Sequence, residues 1–466
     1  MQSAIQLFDT NFPLNQTLTF DTDNKLTLKR LTKLETPDGF DELEYQLQTR
    51  MPQRQILDIL SRLHRWFPFT RHLGPQSGSQ SKMPDTDLRY LLTLFGYGCN
   101  LGAKQTAQHS RLPVTDRILR YINAQHISIH QLDKAIRDTI NQYARFDLPR
   151  FWGTGKAAAA DGTQFDLYSN NLLAEQHVRY GGYGGIAYHH ISDTYVALFS
   201  HFINVGVWEA VYIFDGLLQN KSDIQPDTLH ADTHGQSEPV FGLSHLLGIQ
   251  LMPRIRNWRK LTFYRADAND TYEHVDDLFT AVIDWELILT HWQDLMQVAI
   301  SIQQGHVMPS MLLRKLRHDS NKNRLYRAFR EVGRVIRTIF LLRYVANPNL
   351  RRQVGIVTNQ MEAFNGFSKW IFFGDDGKIK HNDPVEQEKR IKYNDLISNL
   401  VMLHNVIDMT KLLQQLKQEG YAVNSKTLAR ISPYLTEHIQ RFGEYVIDME
   451  QEVEPISFEL QLVDSA

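Results

Sequence analysis

The feature that most limits how this chain can fold is a block from Gly153 to Pro253 in which strand-like and helix-like periodicities alternate. Three runs, GTGKAAAADGTQFDLYS, GGIAYHHISD and TYVALFSHFINVGV, have strand composition and are separated by Gly-rich or Asp-bearing turns. A helix-like WEAVYIFDGLLQN, a strand-like TLHADT, a helix-like EPVFGLSHLLG and a strand-like IQLMP follow. That order predicts a mixed sheet with crossover helices, in an α+β or α/β fold.

Helical patterns flank the block. Residues 17–35 alternate around Asp23-Asn24 and predict a hairpin. Ile56, Ile59, Leu60, Leu63 and Trp66 form one helical stripe. Residues 74–87 are rich in turn formers and predict a flexible surface loop. Helix returns from Leu88 to Phe146, with Ser128 and Gln131 spaced as a capping box. After Asn269 the strand signal disappears until beyond Tyr344, and Ile288, Trp292, Leu295, Met296 and Ala299 make a stripe. Helix resumes in MEAFNGFSKWIFFG and in NDLISNLVMLHNVIDMTKLLQQL. The expected parts are 1–150, mainly helical; 151–268, the sheet; 269–350, helical; and 351–466, helical.

The 466 residues suggest two to four domains, and 42% apolar content excludes a largely disordered chain. The 50 Lys and Arg nearly balance the 52 Asp and Glu, so any attraction to nucleic acid must be local. A single cysteine, Cys99, excludes an internal disulfide, a Cys-based zinc site and an iron–sulfur cluster. No run approaches the roughly 18 apolar residues of a membrane span. The opening MQSAIQLFDTNFPLN has neither region of a signal peptide, so the expectation is a soluble, intracellular protein.

Three acids stand out by position. Asp161 lies in AAAADGTQF, where Ala and Gly leave room beside the carboxylate, and Asp232 ends the strand-like run in LHADTHG. Glu362 begins the helix-like MEAFNGFSKWIFF, from which it could point back at the sheet. Acids at sheet ends are held rigidly while loops leave them open. Hard oxygen ligands suit magnesium or manganese, and two such ions about 4 Å apart can activate an attacking oxygen and stabilise a leaving one. On spacing alone, surface and capping roles remain the commoner fate of acids.

From Ala160 onward, ADGTQF, RYGGYGGIAYHHISDTY and YIFDGLLQNKSDIQPDTLHADTHGQSEPVFGLSHLLGIQLMPRI resemble the catalytic region of the Tn-three family of replicative-transposon transposases. GHVMPSMLLRKLR, REVGRVIRTIFLLRYV, TNQMEAFNGFSKWIFFG and ISPYLTEHIQRFGEYV follow in the family's order. Upstream, MPQRQILDILSRLHRWFPFTRHL and GYGCNLGAKQTAQHS also match, so the resemblance runs from about residue 20 to 448.

The resemblance implies a ribonuclease-H-like core whose DDE triad, here Asp161, Asp232 and Glu362, binds two magnesium ions, with manganese as a substitute. It implies a long helical insertion between Asp232 and Glu362. It also implies hydrolysis of one strand at each transposon end, direct attack of the freed 3′-OH on target DNA, and a dimer on paired ends, in the bacterial cytoplasm at the nucleoid. Family members are about twice as long, carrying an N-terminal half that recognises the inverted repeats, so this chain is expected to be a truncated or split product. Where the family has Lys or Arg then Gly before its Glu, this chain has Gln360 and Met361, which removes a charge expected beside the metal site. Glu238 fills the family's acidic position after the second Asp. Two alternatives stay open: a silent remnant that binds DNA, and a metal-dependent nuclease of the same fold.

Local charge is skewed from Arg314 to Arg343. Arg314, Lys315, Arg317, Lys322, Arg324, Arg327, Arg330, Arg334, Arg337 and Arg343 face only Asp319 and Glu331. Arg327, Arg330, Arg334 and Arg337 recur at three- and four-residue steps, as a phosphate-tracking helix face would. The competing interpretation is an ordinary solvated face. Arg254, Arg256, Arg259 and Lys260 form a weaker second candidate. His230 and His234 flank Asp232 and could orient a phosphate or be structural. His189 and His190, adjacent in a strand, must face opposite sides. Trp285 and Trp292 are expected in a helical core, and GGYGG (181–185) in a turn.

Overall fold

A computed structural model describes residues 1–22, 25–168, 175–176, 183–204, 212–318 and 323–460, excluding the side chains of residues 175–176, Tyr183, Asn204, His234 and residues 315–318. The predicted turn at Asp23-Asn24, the first two glycines of GGYGG, Asp319, Lys322 and the Lys315, Arg317 and His234 side chains therefore lie outside the described residues.

The protein is a mixed α+β structure. Its chain-order landmarks are α1 (Gln2–Asn11), α2 (Ile56–Trp66), α3 (Thr86–Gly98), α4 (Ile129–Tyr143), β1 (Ala157–Asp166), β2 (Tyr183–Ser192), β3 (Ala197–Asn204), β4 (Thr228–Ala231), α5 (Glu238–Leu246), β5 (Gln250–Pro253), α6 (Arg324–Ala346), α7 (Pro348–Ile371) and α8 (Pro384–Gln418). The sheet order is β3-β2-β1-β4-β5, with the two residues Glu175–Gln176 also paired to β2. β1 is antiparallel to β2 and parallel to β4, and β4 is parallel to β5. The strand-like runs all became strands because Ala, Ile, Val and aromatic residues fit a pleated surface covered on both faces.

Helices supply that cover. In α4 the Ser128 side chain and the Gln131 side chain cap each other's backbone amides, as the spacing predicted. The long α8 is buried on several sides although its sequence reads as partly polar. Its polar residues close backbone bonds of the elements around it: Asn399 bonds both the amide and the carbonyl of Ala197 in β3, and Asn394 donates to Gly98 and Ser368 carbonyls. One apolar core runs from Ile5 to Leu460. The N-terminal α1 packs on α6, far away in sequence. Its Asp9 carboxylate accepts the amide hydrogens of Glu273, His274 and Val275.

Helices α5 and α6 cross backbone to backbone. A Cβ at Gly333 would lie 1.7 Å from the Glu238 carbonyl oxygen, and one at Gly242 would lie 2.3 Å from that of Phe329. Gly333→Ala is therefore expected to force the helices apart and destabilise the protein by about 3 kcal/mol, measured by urea denaturation.

Four expectations change. A short parallel ribbon, Phe263–Arg265 with Phe279–Val282, interrupts the interval expected to be free of strands. Arg265, gripping Asp276 at 2.7 Å, holds it closed, a long-range pairing that periodicity cannot reveal. Trp285 and Trp292 are 41% and 45% exposed rather than core, although Ile288, Leu295 and Ala299 of the predicted stripe are buried, because the buried face continues through Ile302 and leaves Trp292 at its edge. The last two glycines of GGYGG lie in β2, not in a turn: the Phe202 ring occupies the space in front of Gly185. Finally, Glu362 does not begin its helix. α7 starts at Pro348 behind an Asn347 cap, an Asn-Pro signal that places Glu362 well inside it.

Candidate functional site

Strand register brings Asp161 and Asp232 together. β1 and β4 pair in parallel up to Ala160 and Ala231, so the next residue of each strand is one of the two aspartates. Adjacent strands lie about 4.8 Å apart. Asp161 lies inside its strand, as expected, since β1 continues to Asp166 against β2, and it stands where the parallel pairing stops. Its carboxylate accepts the Gly162 amide hydrogen at 2.9 Å.

Side-chain alternation fixes the face. Ala159, two residues before Asp161, packs with Ile191 and Ala197 against Val357, Met361 and Phe364 of α7. Asp161 therefore projects on the face that α7 covers. Lys369 lies two helical turns beyond Glu362, on the same flank, with its ammonium 6.0 Å from the Phe165 ring. Phe165 shares the face of Asp161. Glu362 thus stands on the flank of α7 that overlooks the aspartates, exposed at the surface.

The three carboxylates share a face without closing up. Among the described residues no group of three His, Cys, Asp or Glu side chains is close enough to hold a metal ion. The donor set nevertheless suits a divalent cation in type, and Glu362 makes no hydrogen bond or ion pair among the described residues that would oppose a rotamer change. Gln360 faces the other way. It is buried, with its side-chain nitrogen 3.5 Å from the Asp193 carbonyl, so the missing charge is not aimed at the carboxylates. Met361 is core.

A network absent from the sequence reading backs this site. His189 is the direct cross-strand neighbour of Asp161. Its ring meets Phe364 edge-on at 5.2 Å, and its Nε2 donates to Asp395 of α8 at 3.0 Å. Ser200 donates to the other Asp395 oxygen. All three side chains are buried, so Asp395→Ala should strand two donors and cost about 2 kcal/mol in a denaturation experiment. The only sequence signal was an aspartate inside the apolar run of α8. His190 faces the opposite side, as alternation required, donating to the Ile213 carbonyl, and burial pushes its pKa down to about 4. His230 lies on the face of Asp232, and burial likewise lowers it to about 4, which keeps it neutral.

The basic candidates divide. Arg254, Arg256, Arg259, Lys260 and Arg327 are exposed and make no ion pair among the described residues. Arg330, Arg334 and Arg337 instead converge on Glu238, at 3.0, 3.2 and 2.9 Å. Their spacing does place them on one face of α6, but that face meets α5 rather than solvent. Arg314 rests on Tyr212.

A family profile described as the Tn3 transposase DDE domain matches residues 58–445. The chain belongs to this Tn3 transposase family. It is 28% identical over 430 residues to the transposase for transposon Tn1546 of Enterococcus faecium, covering 92% of this chain and 43% of that protein. The transposase for Tn501 of Pseudomonas aeruginosa is 31% identical over 414 residues, 88% of this chain and 41% of the relative. The transposase for gamma-delta of Escherichia coli K12 is 26% identical over 430 residues, 92% and 43%. The chain spans about two fifths of the length of these relatives. Membership in a DDE family implies dependence on a divalent metal ion. No helix among the described residues is long and apolar enough to cross a membrane.

Proposed function

We propose that this chain carries the catalytic centre of a DNA transposase, performing metal-dependent 3′-end cleavage and strand transfer of transposon DNA. The observation that carries the reading is the placement of Asp161 and Asp232 side by side under the flank of α7 that bears Glu362. The strand order and directions support a ribonuclease-H-like core, with the helices between β5 and α7 as its insertion and residues 1–150 as a helical domain in front of it.

Asp161, Asp232 and Glu362 would hold two magnesium ions, or manganese in their place. When bound, these supply Lewis-acid activation of the attacking oxygen and stabilisation of the leaving one. The chain's own part is positioning. The sheet fixes the two aspartates, and Glu362 turns inward from a helix locked by Met361 and Phe364. Arg254, Arg256, Lys260 and Arg327 offer unpaired charge to DNA phosphates. A homodimer on paired ends at the nucleoid completes the reading.

Incubating the full chain with magnesium, a 3′-end-labelled transposon end and a plasmid should transfer label into the plasmid. Cleavage without transfer would favour a nuclease. The unclosed carboxylates favour a second reading, a DNA-binding remnant, which predicts binding with neither reaction.

A further inference from the structure

Arg351, the fourth residue of α7, is only 8% exposed. Its Nε and Nη2 are buried and make no hydrogen bond. Among the described residues it has no carboxylate partner. Removing a permanently charged guanidinium from water without a counter-charge is costly, and a bound anion would offset the cost.

Two further arginines lie close by. Arg352, next in sequence, is held by neutral acceptors, Asn349 at 3.3 Å and Thr32 at 3.3 Å. Tyr344 feels both Arg351 and Arg254 and bonds the Ile255 backbone. The Arg254 amide donates to the Ala231 carbonyl at 2.8 Å, which places Arg254 beside Asp232 at the carboxyl edge of the sheet. Burial, with Arg352 adding to it, pushes the Arg351 guanidinium below its usual range.

Arg351 shares a flank of its helix with Glu362. Arg351, Gly355, Thr358 and Glu362 recur at three- and four-residue steps along one flank of α7. A Cβ at Gly355 would meet nothing within 4 Å. Arg351 and Glu362 are separated by roughly 16 Å of helix, on the order of five nucleotides of duplex rise.

We propose that Arg351 is the seat for one backbone phosphate of DNA, flanking the scissile one, and holds the strand along the Glu362 flank of α7. This rests on the transposase reading. The guanidinium acts through its charge and paired N–H donors and makes no covalent change.

The test is fluorescence anisotropy of the full chain with a labelled 30-base-pair duplex across a salt series. Arg351→Met should weaken binding about tenfold and reduce the slope of log affinity against log salt by about 0.9. Arg351→Lys should restore the slope but not the whole affinity. The urea midpoint of Arg351→Met should stay unchanged or rise, since an unpaired buried charge has been replaced by an apolar chain. Wild-type binding with an Arg351→Met slope that matches it would overturn the seat alone, as would a lowered midpoint with an unchanged slope. A wild-type chain with no salt-dependent binding would overturn the transposase reading and the seat together.

Discussion

Asp161→Asn is expected to abolish strand cleavage and strand transfer while leaving duplex binding and the urea midpoint near those of the wild type. The carboxylate lies where two parallel strands stop pairing and shares that position with Asp232, so removing its charge removes a ligand that both ions would need. Metal stabilisation of a transition state is worth several kcal/mol, so the loss should be about a thousandfold or more. Asp232→Asn should match it. Glu362→Gln should fall as far in rate and have the smallest effect on folding, because its side chain is exposed. A gel assay for nicked and joined products measures all three, and residual activity above a tenth of the wild type in any of them would contradict the assignment.

The second large effect is on stability. Glu238 is almost buried and accepts from Arg330, Arg334, Arg337 and the Tyr264 hydroxyl. Glu238→Gln leaves three guanidiniums crowded between α5 and α6 with, among the described residues, only Glu331 as counter-charge. Losing one partner of a buried ionic cluster costs about 3–5 kcal/mol, and the partial exposure of Arg330 and Arg334 argues for the lower end. The pH dependence follows in sign. Burial alone would raise the Glu238 pKa, but Arg337, Arg334 and Arg330 with Tyr264 outweigh it and hold the carboxyl below its usual range. Its contribution is therefore fully present above the unfolded carboxyl pKa of about 4.3 and is lost as pH falls through the lower folded value. Glu331 is shifted up by its burial and acts in the opposite sense, so the net acid loss is smaller than Glu238 alone would give. Urea midpoints between pH 3 and pH 6 should fall with acid in the wild type, and by less in Glu238→Gln.

Glu238 also shows where sequence patterns stop short. Periodicity placed Arg330, Arg334 and Arg337 on one face of a helix correctly, and said nothing of what that face meets. The answer came from a carboxylate about ninety residues earlier in the chain, brought over by the approach of Gly333 to the Glu238 backbone. Trp285 and Trp292 failed in the converse way: Ile288, Leu295 and Ala299 are buried as the periodicity predicts, but the two indoles stand at the edge of that buried face, and periodicity does not mark where a face ends. The order of strands and crossover helices from β1 to β5 was readable because alternation and turn chemistry are local. Their pairing was not, and pairing is what puts Asp161 next to Asp232. The His189–Asp395–Ser200 network and the buried Arg351 depend wholly on contacts between distant segments, so no local signal announces them. Position singled out the three acids and the resemblance to the family implied their joint role, while the sheet and α7 put them on one face.

The most direct measurement is diffraction from the chain crystallised with manganese and a DNA end, using the anomalous signal of the metal. The account predicts density between Asp161 and Asp232, with the Glu362 carboxylate turned inward to within coordination distance of it. Manganese bound elsewhere, or bound to the aspartates while Glu362 stays in solvent with DNA in place, would contradict a shared metal site.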